Sequence, residues 1–368
     1  MARRIRWLRA IGLLAIALIA VAALTLSHNS ACGGSAAPPE GAPRMRAVVH
    51  RCYGPADVLR VEQVARPALA DDQVLVRVRA ASVNPLDWHY MRGEPYIVRL
   101  DAGVGAPTDI RMGEDFAGTV EAVGRSVRRF KVGDEVFGAR SGAFAEYVSV
   151  PEDRAVVLKP AGVTFEQAAA VPIAAVTALQ ALRDNGNIRS GEKVLINGAS
   201  GGVGTFAVQI AKAFGAEVTG VCSTRNVERV RALGADHVVD YTREDFSAGA
   251  ERYDLIVDTV GNHGLSELRR VLRPKGALVI VGGPSDNRWI GPLTSVAKGW
   301  LFSRFVEQRF GMMLARMNRA DLEALSDLMQ QGKLTPVIDR HYALADAADA
   351  IRYVEAGHAQ GKVIIDVP

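Results

Sequence analysis

From Met45 onward, apolar and polar residues alternate in short runs. MRAVVHRC, VLRVEQV and QVLVRVRAASV carry this period of two, which puts one face of a strand in a core and the other in solvent. Gly-Pro, Arg-Pro and Asp-Asp pairs separate the runs and read as turns. GTVEAVG, GDEVFG and AEYVSV continue the β texture to about Val150. After Thr164 the period changes. FEQAAAVPIAAVTALQAL predicts a helix. Then KVLING, AEVTGVC, HVVDY, DLIVDTV and ALVIVGG predict strands, with helices between them, including residues 227–233 and 265–272. A last helix, near residues 345–355, and a strand, KVIIDV, close the chain. Strands alternating with helices predict βαβ units. The expected class is therefore α/β: an irregular β-rich domain, then a doubly wound domain on a parallel sheet.

The first strand of that second half, KVLIN, runs into Gly198-Ala199-Ser200-Gly201-Gly202-Val203-Gly204 and then a helix-like pattern. From Ala199 the spacing is that of the dinucleotide fingerprint, with alanine at its first glycine. Strand before and helix after are the context that fingerprint needs. Gly201 lacks a Cβ, so a pyrophosphate can approach the backbone. The helix N-terminus offers unpaired N–H groups and a partial positive charge. Gly204 lets helix and strand pack closely. NAD sites place an acid at the end of the second strand, on the ribose diol. Here that strand ends Val221-Cys222-Ser223-Thr224-Arg225. Hydroxyls and a guanidinium suit the 2′-phosphate of NADP, so NADP(H) is the expected cofactor. The alternative, that Arg225 merely begins a solvated helix, stays open.

Composition changes this picture mainly at the N-terminus. The chain has 368 residues, 49% hydrophobic, and a formal charge of +4. Residues 1–44 hold five Arg and one Glu, which is +4, so the remainder sums to zero. No basic patch interleaved with aromatics is present, which argues against nucleic-acid binding. Cys32, Cys52 and Cys222 are far apart. A disulfide framework is not expected, and a four-cysteine zinc site is impossible. After MARRIRWLRA an apolar run spans residues 10–26. Its length is at the lower limit for a membrane span. The expectation is a membrane anchor, with the membrane as a partner. A cleaved signal is the alternative (Ala31-Cys32-Gly33-Gly34 hints at a lipoprotein, without the usual leucine), and a true start at Met45 a third. Residues 27–43 read as a flexible linker. An Arg cluster held in the cytosol would leave the globular part outside, away from a cytosolic cofactor.

The residues also resemble the medium-chain dehydrogenase/reductase superfamily, within it the zinc-free quinone oxidoreductase (zeta-crystallin-like) branch. The matching pieces are ASVNPLDWHYMRG, GEDFAGTVEAVGRSVRRFKVGDEVFG, GAFAEYV, AAAVPIAAVTALQAL, NGASGGVGTFAVQIAKAFGAEV, LGADHVVDY, DTVG and GKVII. They cover about residues 45–368. The resemblance implies a GroES-like catalytic domain over 45–170, a Rossmann domain over 171–312, and a segment over 313–368 that returns to the catalytic domain. Zinc-dependent relatives carry a ligand Cys where Asn84 stands and a ligand His where Glu114 stands. They also carry a cysteine lobe that is missing here. No metal is therefore expected.

Without zinc, oxidation of a simple alcohol loses its Lewis acid. Reduction of a quinone or an α,β-unsaturated carbonyl needs less help. The resemblance implies hydride delivery in the cleft between domains, with charge developing on a carbonyl oxygen that needs a donor and then a proton. Asn84 is the first candidate donor, an Asn-Pro turn its bland alternative. His89 and Tyr90 follow on the same segment. For the cofactor, the matches point to Thr177, Val260, Gly261, Gly282 and Gly283 near the nicotinamide and to Tyr241 at the adenosine phosphate. Lys362 is either near the cofactor or a surface lysine. Residues 289–317, with Trp300, Phe302, Phe305, Phe310, Met312, Met313 and Met317, read as a substrate wall, a dimer interface or plain core. Two other readings stay open: a carbonyl or acyl-thioester oxidoreductase, for which Arg92, Arg99 and Arg111 would form a basic mouth, and a non-catalytic NADPH-binding sensor. The family often dimerises through the cofactor-domain sheet edge, so a homodimer is a further expectation.

Overall fold

The computed structural model describes residues 17–34, 38, 40–283, 287–289 and 307–368. Strands β1 (Arg44–Val49) and β2 (Arg60–Ala65) form an antiparallel ribbon. The long strand β3 (Gln73–Val83) is the spine of the first domain. It pairs with β4 (Asp115–Val123) and with β6 (Tyr147–Pro151), while β5 (Glu135–Ala139) and β7 (Val156–Leu158) extend the sheet beyond β4. Between β3 and β4 the helix Pro85–Arg92 begins at Asn84, with proline in its first turn. The Asn84 N–H donates to Asp87 Oδ2 at 2.7 Å, satisfying a donor that the helix start leaves free. The helix stops at Gly93, φ 59°, the left-handed region that glycine enters without strain.

The second domain is a parallel sheet of β8 (Lys193–Asn197), β9 (Glu217–Cys222), β10 (His237–Asp240), β11 (Tyr253–Asp258), β12 (Leu272–Ile280) and β13 (Arg309–Met312), ordered 10-9-8-11-12-13. The order reverses between β8 and β11. Ligands of such sheets bind at that switch point, beyond the strand C-termini. Buried Val194, Ile196, Val257 and Val279 pack with the helices Pro172–Gln180 and Gly202–Ala213 in one core. The chain then comes back. β14 (Ile338–Ala343) and β15 (Lys362–Asp366) join the first sheet, β15 lying antiparallel to β3 with Val363 opposite Val83. This register sets Lys362 beside Asn84.

Two expectations about the N-terminus are corrected. Among the described residues no helix is long and apolar enough to cross a membrane, which overturns the anchor and the localisation built on it. Of the apolar run, residues 10–16 lie outside the described residues. Nor is the stretch after that run a free linker. Cys32 and Cys52 form a disulfide, Cα–Cα 4.7 Å, although their spacing suggested no pairing. The Ser30 N–H donates to Gly105 O at 2.8 Å. Arg99, 1% exposed, lies against the rings of Tyr53 and Tyr96, at 4.4 and 4.6 Å. It donates to the carbonyls of Leu26 (2.8 Å), His28 (3.0 Å) and Gly93 (2.8 Å). Residues 26–32 are thus a strap fastened to the catalytic domain.

Of the aromatic segment, Trp300, Phe302 and Phe305 lie outside the described residues. Met313 is core, Phe310 and Met317 pack against core clusters, and Arg309–Met312 is the edge strand β13.

Candidate active site

A buried polar knot lies where the two domains meet. Asn84, 1% exposed, donates from Nδ2 to Asp115 Oδ2 at 2.9 Å and to Ser82 O at 3.3 Å. Its Oδ1 accepts from Lys362 Nζ at 2.5 Å. Lys362 also donates to Val83 O at 3.1 Å and stands 3.6 Å from Asp115 Oδ2. Asp115 takes two further bonds, from Ser82 Oγ at 2.8 Å and from the Ile173 N–H at 3.0 Å. The last comes from the first turn of the helix Pro172–Gln180, whose dipole favours a negative charge there. Asp115 accepts from three donors, and three oxygens surround the lysine nitrogen. That inventory fits a carboxylate and an ammonium. Burial pushes the Asp87 and Asp115 carboxyls up and the Lys362 ammonium down; the attraction between lysine and aspartates opposes all three.

This places the expected donor differently. Both amide hydrogens of Asn84 are committed, so it is a member of the knot and not a free oxyanion donor. Asp115, Ser82 and the register partner Lys362 join Asn84 in a knot; of these three, motif reading had offered only Lys362, near the cofactor or as a surface lysine.

His89 and Tyr90 line the same helix, half-buried. His89 Nδ1 bonds Glu94 O at 2.7 Å; a carbonyl only accepts, so Nδ1 carries the proton. Burial lowers the His89 pKa, opposed by that bond and by Glu355 and Glu94. A neutral ring of this tautomer leaves Nε2 as an acceptor. The Tyr90 hydroxyl donates to Asp101 Oδ2 at 3.1 Å. Burial, then Asp101, pushes it up to about 12, so it stays protonated. Glu114, half-buried, was noted only as a replaced ligand. Burial, then Asp115 and Asp109, pushes it up to about 7, and its charge is felt by Tyr90 and Asp87.

The glycine turn has the geometry an anion needs. Gly201 is the N-cap of Gly202–Ala213, and no side chain caps that helix. A Cβ on Gly201 would meet only Gly198 O, at 3.4 Å, which leaves a cradle open above the first-turn N–H groups. A Cβ on Gly204 would fall 2.0 Å from Gly198 O. Ala199 is fully buried against this turn, and Val203 packs on the core. Lys362 Cδ lies 3.4 Å from where a Gly202 Cβ would stand, so the lysine stem joins the turn to the knot. At the end of β9, Asn226 Nδ2 donates to Ser200 Oγ (3.1 Å) and Ser223 Oγ (3.2 Å), while Asn226 Oδ1 is buried without a partner. Thr224 Oγ1 donates to Asp240 Oδ2 at 2.6 Å, closing off the acid of the neighbouring strand. Arg225 is exposed, with no ion-pair or hydrogen-bond partner among the described residues. Tyr241, 60% exposed, donates its backbone N–H to Cys222 O.

The other half of the crevice is also assembled. The Val260 and Gly261 N–H groups donate to Asp258 Oδ1 at 3.0 and 2.9 Å. A Cβ on Gly198 would meet Thr259 Oγ1 at 2.3 Å, one on Gly282 would meet Thr259 O at 2.8 Å, and Gly283 faces Gly261. Thr177 is buried below, its Oγ1 donating to Ile173 O at 2.6 Å. The proposed basic mouth is not formed. Arg92 pairs with Glu355, Arg111 with Asp109, and Arg99 holds the strap.

Two family models match the chain: an alcohol dehydrogenase GroES-like domain over residues 70–161 and a zinc-binding dehydrogenase over residues 233–365. The chain is 34% identical over 336 residues to the 2-methylene-furan-3-one reductase of Solanum lycopersicum, covering 87% of this chain and 79% of that protein. It is 33% identical over 338 residues to a chloroplastic quinone-oxidoreductase homolog of Spinacia oleracea, covering 88% and 98%. The quinone oxidoreductase structure from Coxiella burnetii superposes with a TM-score of 0.78 at 31% identity, over 89% of this chain and all of that one. The chain belongs to the medium-chain dehydrogenase/reductase superfamily, in its zinc-free quinone oxidoreductase branch. The zinc in one family name does not fit the residues here. The oxygens of Asn84 and Asp115 already surround an ammonium, and a divalent ion would meet that charge without sulfur or imidazole to hold it.

Proposed function

We propose that this chain is a zinc-independent, NADPH-dependent reductase that transfers hydride to a quinone or an α,β-unsaturated carbonyl. The observation that carries it is the junction of an uncapped, glycine-lined helix N-terminus with a lysine-centred polar knot at the switch point of the sheet. Relatives named as a 2-methylene-furan-3-one reductase and an NADPH-dependent alkenal/one oxidoreductase support the same reading. Ser200–Gly204 would hold the pyrophosphate, and Ser223, Thr224 and Arg225 the 2′-phosphate, with Tyr241 beside the adenosine. Thr177, Val260, Gly261, Gly282 and Gly283 would line the nicotinamide. When bound, the dinucleotide supplies hydride. Tyr90 keeps its proton across the working pH range and would donate to a developing oxyanion by exchanging it for the bond to Asp101. Glu114, titrating near neutrality, is the group best matched to supply the following proton. Asn84 and Asp115 hold the floor of the cleft.

The reading includes a homodimer through β13, whose outer side pairs with no strand among the described residues. The acyl-thioester alternative loses its support, because its three arginines are engaged. The test is NADPH oxidation by the full chain, with chelator present, against a panel of quinones and enones. Consumption that persists in chelator is expected. Tight NADPH binding without turnover on any acceptor would overturn the reductase in favour of the sensor. Turnover abolished by chelator would overturn zinc independence.

A further inference from the structure

Lys362 reaches the site from furthest along the chain. It is 2% exposed and 278 residues from Asn84 in sequence, and it arrives on a strand that closes the first sheet after the chain has left the second domain. Its ammonium donates two hydrogen bonds, to Asn84 Oδ1 and Val83 O, and forms an ion pair with Asp115 Oδ2 at 3.6 Å. Around it stand Asp115 on β4, Asp87 on the helix Pro85–Arg92 and, next to Asp115, Glu114. No other cationic side chain is paired with Asp87 or Asp115 among the described residues. The stem of the lysine passes Gly202.

We infer that Lys362 is the internal counter-ion and positioning residue of the reductase: its ammonium keeps Asp115 ionised, fixes the amide plane of Asn84, and couples the catalytic floor to the cofactor turn. With Oδ1 of Asn84 on the ammonium, Nδ2 faces Asp115 and Ser82 O; without the lysine the amide is free to turn over. Asp115 in its ionised form accepts from Ser82, Asn84 and Ile173 together. An Asp115 protonated at Oδ2, the oxygen that faces Lys362, can no longer accept from Ser82 and Asn84 together. A purely structural lysine would only add stability. A positioning lysine sets which protonation state of its neighbour is active.

The inference rests on the reductase reading, and the test separates the two. Lys362→Met, Asp115→Asn and the double variant are compared with wild type in the full chain, by steady-state kinetics and by thermal melts across pH 5–10. For Lys362→Met, kcat is expected to fall roughly 10- to 100-fold, the usual effect of removing an outer partner of a reacting site. The KM for NADPH should change less than about threefold, since methionine keeps the side-chain stem that passes Gly202. Activity of this variant should climb with pH through a new ionisation, that of an Asp115 deprived of its counter-ion. The double variant should lose that ionisation, and its deficit should be smaller than the product of the single ones. An unchanged pH profile in Lys362→Met, or single deficits that multiply in the double variant, would overturn the inference. If wild type reduces no acceptor, the reductase reading fails alone. The melts still decide the counter-ion: Lys362→Met should show a pH-dependent melting temperature that the double variant lacks, and its absence refutes the pairing. If Lys362→Met does not fold, the double variant should fold. Failure of both would refute the claim that the two charges compensate each other.

Discussion

The strap over the catalytic domain gives a prediction that can be worked from its fastenings. The perturbation is reduction of Cys32–Cys52, or Cys32→Ser. The cysteines are 20 residues apart, and closing a loop of that size removes about 3 kcal/mol of chain entropy from the open form. When the strap opens, the bonds of Arg99 to the Leu26 and His28 carbonyls are exchanged for water at a net ~1 kcal/mol each. That part is the same with or without the disulfide, so the difference is the loop term alone. At ~1.4 kcal/mol per decade, strap opening should become on the order of 100-fold more frequent. The effect is local, because none of the strap residues belongs to a core cluster. Amide hydrogen exchange reads it directly: the Ser30 N–H, bonded to Gly105 O, should lose about two decades of protection under reductant, while amides of β3 and β11 stay unchanged. Equal protection of Ser30 in oxidised and reduced protein would refute the reasoning. So would loss of protection spread evenly over β3.

Three further outcomes are expected. Gly204→Ala should destabilise the protein by about 1–3 kcal/mol and weaken NADPH, because its methyl would meet Gly198 O and Ala199 Cα, both backbone; melts and cofactor titration check this. Arg225→Ala should weaken NADPH about tenfold, the low end for an exposed charge-assisted bond, and leave NADH unchanged; equal loss for both would remove Arg225 from the 2′-phosphate site. Glu114 has its ordinary value near 4.5 in the unfolded chain and about 7 in the folded one. Between these values the folded state holds a proton that the unfolded state has released, so stability falls as pH rises through the window. Glu114→Gln should flatten that slope in melts from pH 4.5 to 7 and remove an ionisation near 7 from kcat/KM.

Local signals carried the parts of the site that are local. Asn84-Pro85, read as a candidate donor or an Asn-Pro turn, opens a helix in which the carboxylate three residues on reaches back to the N–H. Gly198–Gly204 reads as a phosphate turn because glycine is needed at two backbone contacts. Distant pairings had no such signal. Asn84 looks like a free amide until β15 docks on β3 and brings Lys362 to it. Arg99 looks like a surface cation until the strap supplies carbonyls for its guanidinium. The apolar run ahead of the strap reads as a membrane anchor by length, while the turn after residue 27 that sends the chain to Gly105 rests on contacts with no periodicity.

The buried pair also bears on why such a knot is there at all. Taking two charges out of water is unfavourable, and apolar side chains of similar volume often leave a protein equally or more stable. Stability is therefore a poor reason for a lysine and an aspartate, 3% and 0% exposed at their side chains. Positioning is a better one. A carboxylate held by a helix N-terminus, a serine and an amide needs a fixed positive partner to stay ionised in a site that must exclude water during hydride transfer. An ammonium on a flexible stem that passes the cofactor turn supplies that charge. Such a site can polarise an acceptor that is already electron-poor, but it offers no Lewis acid to a simple alcohol. The charge arrangement and the proposed choice of quinone or enone over alcohol rest on the same lysine.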